Sequence, residues 1–272
     1  MILDCTRTGD RAEAVASAAE VVRAGKLLVL PTDTVYGVGA DAFDKVAVAM
    51  VLAAKHRSRD MPPPVLVPSP RTVDGLATDV PMYAKILMRA FWPGPLTLVF
   101  RAQASLAWDL GQTNGTVALR MPQDDLALQV LSEVGPVAVT SANLTGHAAA
   151  TTAEQAHEQL RGAVSLYLDD GPRQDRGAST IVDCTREEPV VLRLGSLPAE
   201  ALREVLGDTV LHDSPPFAET TPEPVPPGPT ATTSGTAALG GPRLVGSVRP
   251  SGASARPGAI VTLPPAAPGE GV

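Results

Sequence analysis

The feature that most constrains the fold is a series of short apolar segments separated by polar, glycine-containing loops. The clearest segments are Leu27–Leu30, Pro95–Phe100 and Pro136–Thr140. Apolar runs of this length, bounded by turn residues, are typical of buried β-strands. Helical patterns separate some of these strands, whereas other strands follow one another directly. This irregular alternation predicts an α/β fold with a twisted mixed sheet and flanking helices, not a regular doubly wound sheet.

The remaining elements are predicted from periodicity and from turn and capping residues. The segment PTDTVYGVGAD after Leu30 is predicted as a loop that leads to the second helix. Further strands are expected at Pro64–Val67, Thr116–Arg120 and the segments SLYLD, STIVD and VVLRL. Helices are predicted over Asp10–Ala24, Asp44–Lys55, Val80–Phe91, Asp124–Val134, Thr152–Leu160 and Pro198–Leu206.

Composition divides the chain into one folded domain over residues 1–207 and a tail over residues 208–272. From about Ser214 onward, Pro, Gly, Ala, Ser and Thr dominate without any periodicity, which predicts disorder. The formal net charge of −7 gives no sign of bulk attraction to nucleic acid. The two cysteines are far apart, and no segment approaches the roughly 20 apolar residues of a membrane span. A cytoplasmic protein without membrane contact is therefore expected.

Two predicted strands end in loops that are rich in hydrogen-bonding groups. Pro31–Gly39 supplies two hydroxyls, a carboxylate and a phenol, and Thr140–Gly146 contains a Ser-Ala-Asn sequence. Ligands bind at the carboxyl ends of strands in open α/β sheets, and glycine lets the backbone approach a ligand closely. Either loop could also be a hydrogen-bonded turn. There is no Walker A pattern, so any nucleotide would be bound in another way.

Basic residues are concentrated at two places near these loops. Lys55, Arg57 and Arg59 follow the second predicted helix, where they could stabilise the helix dipole or form a clamp for a polyphosphate. Arg120 ends an apolar strand, and a buried guanidinium needs a partner, either a bound carboxylate or an internal aspartate. The segments Gly177–Thr180 and Arg193–Gly195 lie beside further predicted strands.

Taken together and in this order, these motifs resemble those of the YrdC-like threonylcarbamoyl-AMP synthases. The matching segments are PTDTVYGVGADAF, KHR, FWPGPLTLVF, VALRMP, TSANLTG, GASTIVD and LRLG. The resemblance covers about residues 9–206 and implies an open, concave, ligand-binding face. It also implies synthesis of threonylcarbamoyl-AMP and pyrophosphate from L-threonine, bicarbonate and ATP, with Mg²⁺ expected on the ATP and no prosthetic group. The product would pass to a downstream threonylcarbamoyl transferase complex that modifies tRNA, and direct contact with tRNA is an open expectation.

The resemblance also implies roles for individual residues. Lys55 and Arg57 are the expected catalytic residues, and no residue is expected to bind a metal directly. The expected L-threonine-binding residues are Thr34, Arg120 and Thr140. Leu66 and Ala150 depart from the family pattern, since a histidine and a serine are common at those positions. The expected ATP-binding residues are Lys55, Arg57, Thr116, Ser141, Ala142, Asn143, Ser179 and Arg193.

Two alternative functions remain open at this point. The first is a factor that binds double-stranded RNA or tRNA, or assists ribosome assembly, through a local basic face; strongly salt-dependent binding without ATP turnover would favour it. The second is a carbamoyl-adenylate-forming enzyme, since a similar domain occurs in hydrogenase-maturation carbamoyltransferases. Those proteins carry zinc-finger and acylphosphatase-like domains, which this sequence lacks. The four histidines show no spacing typical of metal ligands.

Overall fold

In the computed structural model, which describes residues 1–7, 9, 11–174 and 177–213, twelve β-strands form one sheet flanked by seven α-helices. The strands are β1 (Ile2–Asp4), β2 (Leu28–Leu30), β3 (Gly37–Asp41), β4 (Val65–Leu66), β5 (Ala77–Thr78), β6 (Leu96–Ala102), β7 (Thr116–Arg120), β8 (Val137–Ser141), β9 (Leu166–Asp169), β10 (Thr180–Asp183), β11 (Val190–Arg193) and β12 (His212–Asp213). The helices are α1 (Arg11–Arg23), α2 (Lys45–Ala54), α3 (Val73–Leu76), α4 (Met82–Phe91), α5 (Asp125–Val134), α6 (Ala153–Leu160) and α7 (Ala199–Leu206).

The sheet mixes parallel and antiparallel pairs throughout. Its strand order is β1-β9-β2-β3-β8-β4-β7-β6-β10-β11-β12, and β5 pairs with β6 at one end of that strand. β3 is antiparallel to both β2 and β8, whereas β4 is parallel to β7 and β6 is parallel to β10. The predicted mixed sheet with flanking helices is thereby confirmed. The concave binding face remains an expectation from the resemblance.

Helices cover both faces of the sheet, as the central strand β2 illustrates. Leu28 and Leu30 belong to a buried cluster that contains residues of α1 and α5. Val29 points the opposite way, into a cluster with residues of α2 and α6. Fully burying one such side chain contributes about 1.5–3 kcal/mol. Packing on both faces therefore fixes the end of β2, where the polar segment that starts at Pro31 begins.

The prediction that residues 31–41 form a loop is wrong for its second half, because Gly37–Asp41 is the strand β3. Glycine is normally depleted in strands, and for this reason the sequence pattern does not reveal the strand. Here the glycines are needed for close packing against β8. A Cβ atom on Gly37 would lie 2.5 Å from Cγ1 of Val139, and a Cβ atom on Gly39 would lie 2.6 Å from Cγ2 of the same residue.

Smaller differences occur at the ends of elements and at the sheet edges. The helix predicted from Val80 begins at Met82, and β1, β5, β12 and α3 were not anticipated. β12 pairs with β11, so the described sheet extends past residue 207, while the predicted tail from residue 214 onward lies outside the described residues. Among the described helices, none is long and apolar enough to cross a membrane.

Candidate functional site

The guanidinium of Arg120 lies at the end of β7 and contacts the loop between β2 and β3. Its Nη1 donates a hydrogen bond to Oγ1 of Thr34 at 3.2 Å, and its Nη2 forms a 2.6 Å ion pair with Oδ1 of Asp33. Its Nε donates to the carbonyl oxygen of Gly94 at 3.0 Å. The structure therefore brings together two predicted threonine-binding residues, and it supplies the internal aspartate that a buried arginine requires.

Burial dominates the electrostatics of Arg120. Only 7% of the residue is exposed, and this desolvation lowers the pKa of the guanidinium, whereas the charge and hydrogen bond of Asp33 act in the opposite direction. Thr34 is also buried, and its hydroxyl lies 3.0 Å from that of Thr32. The hydroxyl of Thr32 in turn donates to the carbonyl oxygen of Val35. These bonds hold the strand-end loop in a defined conformation around the arginine.

Lys55 follows α2 and organises the Ser-Ala-Asn loop after β8. Its ammonium donates to the carbonyl oxygen of Ser141, to the carbonyl oxygen of Asn143 at 2.6 Å and to Oδ1 of Asn143 at 3.1 Å. Nζ also lies 3.5 Å from the hydroxyl of Ser141. An ammonium has three N–H donors, so this loop engages all of them. Lys55 is therefore held in place and is not the mobile charge of a clamp that is open to solvent.

The environment of Lys55 disfavours its charged form. The residue is 2% exposed, and this desolvation, with a smaller contribution from the charge of Arg57, lowers the pKa of Lys55 to about 8. Within the described residues, the lysine forms no salt bridge, and its partners are neutral oxygens. Neutral oxygens stabilise a charged ammonium less than an ionised carboxylate would. A polyanionic ligand nearby would therefore stabilise its protonated form.

Arg57 contacts the C-terminal end of β8, the strand that leads into the Ser-Ala-Asn loop. Its Nη1 donates to Oγ1 of Thr140 at 3.0 Å, while its Nε is buried and has no hydrogen-bond partner among the described residues. Desolvation lowers the pKa of this guanidinium. β8 pairs with β3, which places Thr140 opposite Val38. The arginine thus lies beside the strand that continues from the loop of Thr34.

Ser179 and Arg193 lie together at the ends of two further strands. Ser179 precedes β10, and Arg193 is the last residue of β11. The guanidinium of Arg193 donates to the carbonyl oxygen of Ser179 through Nη2 at 2.7 Å and through Nε at 3.2 Å. The hydroxyl of Ser179 is buried and lies 2.8 Å from that of Thr97 on β6. Gly195 permits this arrangement, because a Cβ atom there would lie 2.0 Å from the carbonyl oxygen of Ala178.

The four cations lie close enough together to influence one another. The pKa of Arg193 is lowered first by desolvation and then by the charges of Arg120 and Arg57. Arg57 acts in the same way on Lys55. In the described part of the chain, the Arg120–Asp33 pair is the single salt bridge that any of these four residues forms. The site therefore carries excess positive charge, surrounded by threonine and serine hydroxyls, which suits a ligand with several negative charges.

Three further positions raised by the sequence are the predicted ATP-binding residue Thr116 and the two that depart from the family pattern, Leu66 and Ala150. Thr116 begins β7, roughly 13 Å from Arg120 at the other end of that strand, and its hydroxyl donates to the carbonyl oxygen of Thr113. Leu66 is buried directly opposite Arg120 in the pairing of β4 with β7. Ala150 is buried, and its carbonyl oxygen accepts the backbone N–H of Tyr36. Thr116 therefore does not lie beside Arg120.

The Ser-Ala-Asn loop itself consists of three of the ATP-binding candidates. Ala142 is fully buried, and its backbone N–H donates to the carbonyl oxygen of Tyr36 at 2.8 Å. The side chain of Asn143 donates to the carbonyl oxygens of Leu144 and His147, both at 2.8 Å. Ser141 pairs with Gly37 of β3. The loop is thus tied to β3 on one side and to Lys55 on the other.

Two residues of the site were not singled out from the sequence, namely Asp33 and Thr97. Asp33 belongs to the polar strand-end segment, so the requirement of Arg120 for a carboxylate could have identified it. Thr97 lies inside the apolar segment PLTLVF, where a single hydroxyl carries no signal of its own. Its role becomes visible only because β6 pairs with β10, which sets Thr97 beside Ser179.

Comparisons with known proteins find several similar sequences and structures. Residues 20–195 match the model of a family named for Sua5, YciO and YrdC, which carries the description "Telomere recombination". A Mycobacterium tuberculosis protein, named provisionally as a threonylcarbamoyl-AMP synthase, is 52% identical over 204 residues, which cover 75% of this chain and 94% of that protein. The threonylcarbamoyl-AMP synthase of Pyrococcus abyssi is 39% identical over 197 residues, which cover 72% of this chain and 58% of that protein.

A solved structure extends the comparison to three dimensions. The crystal structure of P. abyssi Sua5 complexed with L-threonine matches with a TM-score of 0.73 and 34% sequence identity. The match covers 78% of this chain and 62% of that chain. This chain therefore spans nearly the whole length of its mycobacterial relative, but about three fifths of the archaeal protein.

Proposed function

The chain belongs to the Sua5/YciO/YrdC family, and on that basis we propose that it is a threonylcarbamoyl-AMP synthase. It would convert L-threonine, bicarbonate and ATP into threonylcarbamoyl-AMP and pyrophosphate. The observation that carries the proposal is that four cations converge beside the ends of several strands, with one ion-paired carboxylate in the described part of the chain. The four are Lys55, Arg57, Arg120 and Arg193. Such a site suits a triphosphate beside the carboxylate of an amino acid.

The two substrates would occupy neighbouring parts of the site. Arg120, with the hydroxyls of Thr34 and Thr140, would hold L-threonine, with the guanidinium directed at its carboxylate. The P. abyssi relative has been crystallised with this amino acid, which supports the assignment. Arg57, Arg193 and the loop that Lys55 organises would hold the nucleotide. The buried Nε of Arg57 is a donor that a phosphate oxygen could satisfy.

The reaction would proceed in two bond-forming steps. The neutral amine of threonine first forms a C–N bond with carbon dioxide or bicarbonate, giving N-carboxythreonine and, from bicarbonate, water. An oxygen of the new carboxylate then attacks the α-phosphorus of ATP, and the bond to the bridging oxygen breaks so that pyrophosphate leaves. Negative charge develops on the phosphates during this second step. Fixed cations stabilise such charge without reorganisation, and this is the principal contribution expected of the site.

Magnesium would enter the site on the phosphates of ATP. Mg²⁺ usually keeps several waters and binds through phosphate oxygens with one or two carboxylates, so it does not need a cage of protein ligands. In the described residues, no group of three His, Cys, Asp or Glu side chains could hold a metal ion. The metal would neutralise phosphate charge together with the arginines.

The chemistry of the product requires a second enzyme. Threonylcarbamoyl-AMP is an activated mixed anhydride, so an acceptor must take the threonylcarbamoyl group before water does. We expect a cytoplasmic transferase complex to pass it to adenosine in tRNA, and direct contact of this chain with tRNA is a further expectation. Neither alternative function raised by the sequence gains support from a described contact.

Incorporation of radiolabelled bicarbonate tests the proposal directly. The full chain is incubated with ATP, Mg²⁺, labelled bicarbonate and one amino acid at a time. A labelled adenylate that forms with threonine and not with serine, valine or no amino acid supports the proposal. In a parallel reaction without bicarbonate or amino acid, an adenylate that forms from ATP and labelled carbamoyl phosphate supports the carbamoyl-adenylate alternative. Salt-sensitive tRNA binding without any labelled adenylate supports the RNA-binding alternative.

The cation site is tested with a matched pair of arginine variants. Arg57 donates to Thr140 inside the site, whereas Arg59, two residues later, pairs with Asp109 at the surface. Arg57→Ala should lower kcat for pyrophosphate release by roughly 10²-fold or more, the usual effect of removing one group that stabilises transition-state charge. Arg59→Ala should stay within about twofold of the unmodified chain, because exposed pairs contribute little. Equal rates for the two variants would reject the clamp.

A further inference from the structure

The carboxylate of Asp33 joins three segments of the site through one oxygen. Its Oδ1 accepts a hydrogen bond from Nη2 of Arg120 at 2.6 Å and another from the backbone N–H of Gln123 at 2.9 Å. Asp33 lies between β2 and β3, Arg120 ends β7, and Gln123 precedes α5. Only 12% of the aspartate side chain and 8% of the arginine side chain are exposed. A buried ion pair of this kind resists rearrangement because both charges have lost their water.

The orientation of Arg120 decides which donors remain for a ligand. The bonds to Gly94, Thr34 and Asp33 use one N–H on each of the three nitrogens. A guanidinium has five N–H donors, so one on each terminal nitrogen lies outside these bonds. A carboxylate ligand can accept both of them only if the guanidinium plane is held at the correct angle. Asp33 is the one ionised group among the three partners.

We propose that Asp33 is a positioning residue, which holds Arg120 in the orientation that binds the carboxylate of L-threonine. This inference rests on the function proposed above, since it concerns recognition of that substrate. Without Asp33, a guanidinium that is 7% exposed would lack its counter-charge. Arg120 would then keep only the neutral oxygens of Thr34 and Gly94 as partners, and the plane of its guanidinium would no longer be fixed for the substrate carboxylate.

Two other roles for Asp33 make different predictions. A structural brace would affect folding without affecting the choice of substrate. A charge attenuator would weaken the attraction between Arg120 and the substrate carboxylate, so its removal would strengthen the preference for a carboxylate. The substitution Asp33→Asn distinguishes all three roles, because the amide oxygen of the introduced side chain would still accept both hydrogen bonds while the negative charge is lost.

The experiment compares L-threonine with L-threonine amide, which keeps the reacting amine and the side chain but lacks the carboxylate. The ratio of kcat/KM for the two amines is measured by pyrophosphate release in the unmodified chain, Asp33→Asn, Arg120→Lys and the double variant. Arg120→Lys keeps the buried charge and removes the forked geometry. We expect Asp33→Asn to lower the ratio by about tenfold or more. This is the effect of losing one charged hydrogen bond between Arg120 and the substrate carboxylate.

The double variant tests whether Asp33 acts through Arg120. If it does, Asp33→Asn should lower the ratio no further in the Arg120→Lys chain, because residues that act as a unit are not additive. Asp109→Asn is the matched control, since Asp109 also pairs with an arginine at 2.6 Å but does so at the exposed surface. That variant should leave the ratio unchanged.

Each result is decisive for the inference. A ratio that is unchanged in Asp33→Asn, with a lowered melting temperature, indicates a structural brace and overturns the proposal. A ratio that increases indicates charge attenuation and also overturns it. Additive losses in the double variant show that Asp33 does not act through Arg120. If the unmodified chain makes no threonine-dependent product at all, the proposed function itself is wrong, which is a separate outcome from a threonine-specific enzyme that is indifferent to Asp33.

Discussion

Replacing Gly39 with alanine should destabilise the sheet beside the site. β3 lies between β2 and β8, and Gly39 is paired with Val139 of β8. A Cβ atom at residue 39 would lie 2.6 Å from Cγ2 of Val139, 2.8 Å from the carbonyl oxygen of Ala138 and 3.0 Å from Cγ1 of Val137. The carbonyl oxygen is held in the ladder and cannot rotate away. The added methyl group must therefore push β3 and β8 apart.

The expected cost follows from these distances. Inserting one carbon into a packed interior usually costs about 1–3 kcal/mol, and a domain of this size loses roughly 2–4 °C of melting temperature per kcal/mol. Gly39→Ala should therefore melt several degrees below the unmodified chain in a thermal unfolding scan. Gly75→Ala is the control, because a Cβ atom at Gly75 would meet nothing within 4 Å.

A second substitution tests the assigned contact. Val139→Ala removes Cγ2 of Val139, the atom nearest to the new Cβ atom, so the double variant Gly39→Ala/Val139→Ala should be less destabilised than the sum of the two single changes. If Gly39→Ala melts at the temperature of the unmodified chain, the close approach of β3 to β8 is wrong. Additive losses would show that Val139 is not the residue in contact.

Two further predictions concern the nucleotide side of the site. Gly195→Ala would place a Cβ atom 2.0 Å from the carbonyl oxygen of Ala178 and 2.5 Å from the carbonyl carbon of Ser179, so ATP affinity measured by calorimetry should fall about tenfold or more, while Gly162→Ala, which meets nothing within 4 Å, should bind normally. Because burial lowers the pKa of Lys55 to about 8 from its ordinary value of 10.5, its positive charge is lost as the pH rises through that range. ATP affinity should accordingly decrease between about pH 7 and 9, and a flat profile over that interval would contradict this role of the ammonium.

The strands that flank the site could be predicted because their apolar runs are continuous and end in polar loops. β2, β6, β7 and β8 are recognisable in this way, and the residues that follow β2 and β8 do lie together, since the backbone N–H of Ala142 donates to the carbonyl oxygen of Tyr36. β3 was missed because GVGAD has no apolar alternation, and its glycines make sense only beside the side chain of Val139. Local sequence cannot reveal a close approach to a strand that is about 100 residues away.

The partners of the charged residues could be predicted only in part. The requirement of Arg120 for a carboxylate follows from burial alone, but the choice of Asp33 depends on how β2 and β7 are placed in the sheet. Lys55 shows the opposite difficulty, since a basic residue after a helix suggests an exposed charge, whereas this ammonium is buried among the oxygens of another loop.

A crystal structure of the chain with L-threonine and a non-hydrolysable ATP analogue would show whether the strand-end loops form one shared site. We expect the threonine carboxylate on the guanidinium of Arg120 and the α-phosphate between Arg57 and Arg193, with the amine of threonine facing that phosphate. A nucleotide bound away from these arginines, or a threonine that does not contact Arg120, would contradict a shared site.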